Sequence, residues 1–199
     1  MTQEIIYHFS LNSPWTYLGD ARLADIAQRH GATITHKPTN LGKVFPETGG
    51  LPLPKRAPAR QAYRLQELAR WRDHLGLTVN LHPAFFPADE ATAAGMVIAA
   101  KRQGLDCGAL VNGILTAVWA EERNIADTDT LLAIAGERGL DGPALLAAAK
   151  DEAVIGEWDR NAQDALDGGV FGAPTYILGE QLFWGQDRLE FLDRALAAA

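Results

Sequence analysis

Apolar and polar positions change period several times along the chain, and each change marks an element. Glu4 to Phe9 (EIIYHF) is a short apolar run that reads as a buried strand. Ser13-Pro14 follows. Serine suits a helix N-cap, and proline suits the first turn, where its missing N–H costs nothing. Leu18, Ala21, Leu23 and Ile26 are core candidates of a helix that runs to about His30 and stops at Gly31. Residues 33–37 (TITHK) alternate and read as a second strand. Residues 40–59 are rich in proline and glycine and read as an ordered loop. Five helical stretches are predicted next, over 60–75, 90–103, 107–122, 128–137 and 142–150. A longer helix over 153–166 ends at Gly168-Gly169. A hairpin then folds Thr175–Leu178 onto Gln181–Trp184 around Gly179-Glu180, and a helix over 186–198 closes the chain.

The order is β-α-β, a block of helices, then α-β-β-α. With the block removed, βαβ…αββα is the thioredoxin pattern. The expectation is therefore an α/β fold with residues 1–59 and 151–199 as a thioredoxin-like unit and 60–150 as an all-helical insertion.

Composition narrows the partners. The chain has 199 residues, is 47% hydrophobic and carries a net charge of -7. That charge argues against nucleic acid or an anionic membrane as the main partner. No apolar run approaches the roughly 20 residues of a membrane span. The N-terminus, MTQEIIYHF, lacks the basic and apolar regions of a signal peptide. The single cysteine, Cys107, agrees with a reducing compartment, so a cytoplasmic protein is expected. Cys107 opens an apolar helix and reads as a structural thiol. The five histidines show no metal-ligand spacing, and no metal is expected.

Chemistry on this topology belongs at the N-terminus of the helix after the first strand, where free N–H groups and the helix dipole lower a thiol's pKa. A dithiol enzyme has Cys-x-x-Cys there; this chain has Ser13-Pro14-Trp15-Thr16. Dithiol exchange is excluded, while binding of a thiolate brought from outside is not. Gly172-Ala173-Pro174 precedes a strand, where this fold places a cis-proline whose preceding peptide pairs with a bound peptide backbone. Gln186-Asp187 opens the last helix, whose N–H groups suit a carboxylate, with Asp187 opposite an ammonium. Together these features describe the receptor of a small zwitterionic thiol peptide such as glutathione. Lys43, Lys55, Arg56, Arg60 and Arg64 face only Glu47 between residues 40 and 64, a basic patch for a cofactor or substrate carboxylate. Trp15, Tyr17, Phe171 and Trp184 either wall an aromatic substrate pocket or pack in the core.

SPWTYL after the first strand, the helical insertion, FGAPTYIL and FWGQDRLEF resemble the 2-hydroxychromene-2-carboxylate isomerases. These are relatives of kappa-class glutathione transferases in the DsbA-like thioredoxin superfamily. The resemblance spans nearly the whole chain. It implies Ser13 as the catalytic serine contacting the glutathione sulfur, and Ala173 and Pro174 as the backbone element beside the cysteinyl part. It implies Gln186 and Asp187 near the γ-glutamyl group, and Arg60 at a position where the family tends to have a basic residue. It also implies a cis–trans isomerisation of an aromatic alkenyl-pyruvate hemiketal, and a homodimer. Gly49-Gly50-Leu51 departs from the Gly-Asn that many members carry, so one side-chain contact is missing. A kappa-type transferase or peroxidase, and a redox-inactive thioredoxin-like binding module, are the competing functions.

Overall fold

The computed structural model describes residues 2–198. Strand β1 (Glu4–Phe9) leads into helix α1 (Pro14–His30), which crosses over to β2 (Thr33–Pro38). Helices α2 (Leu41–Thr48), α3 (Pro58–Leu75), α4 (Ala91–Arg102), α5 (Cys107–Trp119), α6 (Thr128–Glu137), α7 (Gly142–Ala148) and α8 (Glu152–Asp167) follow. The hairpin β3 (Thr175–Leu178) and β4 (Gln181–Trp184) and helix α9 (Leu189–Ala198) complete the chain. The four strands form one sheet in the order β2-β1-β3-β4, with β1 and β2 parallel and the other pairs antiparallel. This is the thioredoxin arrangement expected from the element order.

The ends of α1 follow from its capping residues. Ser13 is extended, and its side chain accepts the Thr16 N–H. Gly31 sits in the left-handed region at φ 62°, and the Ala32 N–H returns to the Ala27 carbonyl at 2.9 Å. A large apolar core joins the sheet to the helices, and a second, smaller cluster holds Val44, Ala162, Ala165 and Val170. The ring of Tyr7 on β1 stacks on Tyr176 of β3 at 5.3 Å, while α5 packs on α1 and α4 packs on β2. Residues 60–150 thus share their core with the sheet. Among the described residues no helix is long and apolar enough to cross a membrane.

Three segments differ from expectation. Residues 40–59 contain α2 and a 3-10 turn at Leu53–Lys55 where a loop was expected. Asn40 caps α2 by accepting the Gly42 N–H at 2.9 Å, and Gly49 ends it at φ 75°. Pro46 inside these eight residues disguises the helix, because proline there removes an N–H from the ladder. Helix α5 ends at Trp119, short of 122. The closing helix is split into a 3-10 turn at Gln186–Arg188 and α9.

Gly19 sets how closely α1 approaches the end of the sheet. A Cβ there would lie 2.8 Å from both the Gln186 Cβ and the Tyr176 hydroxyl, and all three residues are buried. Gly19→Ala is expected to cost about 1–3 kcal/mol of stability through overpacking. A denaturant midpoint equal to wild type would refute this.

Candidate active site

Ser13 stands where the β1–α1 connection enters its helix. Its Oγ accepts the Thr16 N–H at 3.2 Å and donates to the Ala173 carbonyl at 3.4 Å. The Trp15 N–H, also in the first turn of α1, has no partner among the described residues. Two donors and the positive end of the α1 dipole therefore lie together in the first turn of the helix.

This connection is held from the helical insertion. Glu90, just ahead of α4, accepts the Ser10 hydroxyl at 3.0 Å (Oε1) and 2.9 Å (Oε2) and the Asn12 N–H at 3.1 Å. The Asn12 side chain pairs in both directions with the backbone of Ala88 at 2.9 Å. Burial lifts the Glu90 carboxyl from 4.5 to about 7 against the pull of these hydrogen bonds. Sequence reasoning missed Glu90. No local pattern marks it, because its partners lie some 80 residues away.

Across from Ser13, the Ala173–Pro174 peptide is cis. The Pro174 carbonyl accepts the Gly185 N–H at 2.8 Å, while the Ala173 N–H has no partner among the described residues. Ala173 thus offers a free N–H and a weakly engaged carbonyl. Gly172 has no room for a side chain: a Cβ would lie 2.6 Å from the Trp184 indole nitrogen.

Two adjoining clefts, of about 630 and 560 Å³, share Trp15, Ala173, Trp184, Arg56, Arg60 and Arg64. The larger holds Ser13; the smaller holds Gln186 and Asp187. Ser13, Ala173, Trp15, Trp184 and Arg60 therefore come together. The Gln186 side chain is buried and pinned, its Oε1 accepting from Arg22 at 2.7 Å. Asp187 is exposed and paired with Arg188 at 2.7 Å. Phe171 meets Trp184 edge-on at 4.8 Å and lines the larger cleft.

Two expectations need correction. Tyr17 lines neither cleft; its hydroxyl donates to the Thr78 carbonyl at 3.0 Å. Residues two apart on a helix face opposite ways, so Trp15 and Tyr17 do not share a pocket. Lys43 also lies outside both clefts, paired with Asp159 at 2.7 Å. The turn of α2, read as a loop, directs it toward α8. The Gly50 departure has a cause too. A Cβ there would lie 2.2 Å from the Phe45 ring, so phenylalanine fills the space an asparagine would take.

Cys107 is buried at the head of α5, its Sγ 3.5 Å from the His36 Nδ1, and lines neither cleft. Burial raises its thiol pKa and lowers His36 to about 4. Among the described residues no cluster of three or more His, Cys, Asp or Glu is placed to hold a metal ion.

A family model described as a DSBA-like thioredoxin domain matches residues 4–197. The chain belongs to that family. Within it, the chain is 30% identical to a 2-hydroxychromene-2-carboxylate isomerase from Sphingobium xenophagum, covering 98% of this chain and 99% of that relative. It is 31% identical to one from Pseudomonas putida, covering 96% and 92%. A solved 2-hydroxychromene-2-carboxylate isomerase structure superposes with a TM-score of 0.83 at 27% identity, covering 98% of this chain and 95% of the other. A cytosolic disulfide reductase from Pseudomonas aeruginosa (TM-score 0.70, 21% identity, 98% of this chain and 100% of the other) shares the DSBA-like fold alone.

Proposed function

We propose that this chain is a glutathione-dependent cis–trans isomerase acting on an aromatic alkenyl-pyruvate hemiketal; its relatives named 2-hydroxychromene-2-carboxylate isomerase support the isomerase part of that reading. The observation that carries the reading is Ser13: a helix-capping hydroxyl in a cleft without a cysteine, facing a half-free Ala173 peptide. Such a place suits a thiol that arrives with its own peptide backbone. The residues present fit glutathione. The Ala173 N–H and carbonyl match strand-like pairing with a peptide, and Asp187 and the Gln186 turn suit the γ-glutamyl ammonium and carboxylate.

Glutathione, when bound, would supply a thiolate, a nucleophile able to add reversibly to a conjugated carbon. The chain's own residues prepare for that. The Ser13 hydroxyl swings its proton from the Ala173 carbonyl toward the sulfur position, and the Trp15 N–H and the α1 dipole add positive potential there. Trp15, Trp184 and Phe171 line the cleft and offer faces on which a planar ring can stack. Arg60, exposed at the rim of both clefts, meets a cofactor carboxylate.

The test is a calorimetric titration with reduced glutathione, followed by turnover of 2-hydroxychromene-2-carboxylate. Saturable one-site binding and turnover with no net loss of glutathione are expected. Absence of binding at millimolar glutathione overturns the reading, and consumption of glutathione would make the protein a transferase.

A further inference from the structure

Arg56, Arg60 and Arg64 follow one another at four-residue spacing along α3 and its approach, and all three line the Ser13 cleft. No aspartate or glutamate lines that cleft. The other α3 arginines have carboxylate partners: Arg70 meets Glu67 at 2.5 Å, and Arg72 meets Asp73 at 2.8 Å. Among the described residues Arg56, Arg60 and Arg64 have none.

The three differ in surroundings. Arg60 is exposed, so water satisfies it. The Arg56 Nε–H donates to the Leu51 carbonyl at 2.8 Å. Arg64 is half-buried and makes no hydrogen bond to the described residues. Its guanidinium lies 5.4 Å from the Phe86 ring centroid and 5.7 Å from that of Trp119. Burial, then the nearby Arg56 charge, lowers its pKa to about 10, so it stays cationic at neutral pH. A desolvated cation without an anion is costly, and an arriving carboxylate offsets that cost. The ring contacts leave the planar N–H fork free to grip a carboxylate in two places. Phe86, Pro87 and Trp15 supply apolar walls for the rest of the ligand.

We propose that Arg64 is the carboxylate receptor of the Ser13 cleft: it takes the carboxylate of a planar conjugated aromatic acid and selects such acids over neutral analogues of the same shape. The assignment of that acid as substrate rests on the isomerase reading; the recognition itself does not require it. Arg64 is thus a specificity-determining residue, distinct from Arg60 at the rim.

The test titrates wild type, Arg64→Gln and Arg64→Lys with 2-hydroxycinnamate and with its neutral amide, and separately with reduced glutathione. Wild type is expected to bind the acid about tenfold more tightly than the amide. Arg64→Gln should abolish that preference and leave amide and glutathione affinities unchanged. Arg64→Lys keeps the charge but loses the fork, so it should retain part of the preference, and it carries the test if the glutamine variant does not fold. Four results overturn the proposal: no acid preference in wild type, a preference that survives in Arg64→Gln, equal loss of acid and amide binding, or weakened glutathione binding with the acid unaffected. The last would assign Arg64 to a cofactor carboxylate. Failure of the isomerase reading is separable, because wild type would then ignore glutathione while still preferring the acid.

Discussion

Ser13→Ala is expected to reduce isomerase turnover by about 10²- to 10³-fold, the loss typical of one preorganised donor aimed at developing charge. The hydroxyl has only the Ala173 carbonyl as acceptor in the free protein, at 3.4 Å, so little is lost when it turns to a sulfur. The pKa of the bound thiol, followed by thiolate absorbance against pH, should rise in the variant. Alanine also removes the α1 cap, worth roughly 0.5–2 kcal/mol. Ser13→Gly separates the two effects, since glycine at an N-cap costs roughly a few tenths of a kcal/mol. Both variants should lose activity alike while differing in melting temperature. Unchanged thiol pKa and turnover in Ser13→Gly would remove Ser13 from the mechanism.

Glu90→Gln is expected to change how stability depends on pH. The Glu90 carboxyl titrates near 7 in the folded chain against an ordinary 4.5. The folded state therefore binds the proton more tightly, and stability is lost as pH rises from about 4.5 through 7. Asp20, raised by burial from 3.8 to about 6, acts in the same direction. His8 and His36 oppose both. Burial holds each near 4, down from 6.5, so their contribution is lost as pH falls through that window. The opposing slopes flatten the wild-type profile. Glutamine at 90 is neutral at every pH and removes one of them. Relative to wild type, the variant should gain roughly 3 kcal/mol between pH 4.5 and 8, from about 1.4 kcal/mol per pKa unit. Thermal melts at the two pH values measure the difference. A constant offset between the two proteins would show that Glu90 carries no such shift.

Glu90 also shows why part of the site was invisible in the sequence. Ser13, Ala173-Pro174 and Trp184 were legible because each announces itself locally. A serine before proline caps a helix, a small residue with proline precedes a strand, and a tight turn places an aromatic at the end of a hairpin. Glu90 acts through neighbours far along the chain, and Arg64, though visible as one of the basic patch, is singled out only by Phe86 and Trp119. Their types are common on any helix or loop, so no spacing sets them apart. Lys43 failed in the opposite sense: the basic run was real, but the hidden turn of α2 paired that lysine with Asp159.

By itself the sequence determined the order of the four strands and of every helix except α2, the thioredoxin-like core and the position of the serine. Those follow from apolar periodicity, capping chemistry and the glycines and prolines that end each element, all interactions within a few residues. Only the tertiary structure decided which basic residue lost its water. Arg60 and Arg64 are four residues apart on one helix, yet one is solvated and the other lies against Phe86 and Trp119. Desolvation depends on what other segments bring to the same point, and that sum exists only once the chain is folded.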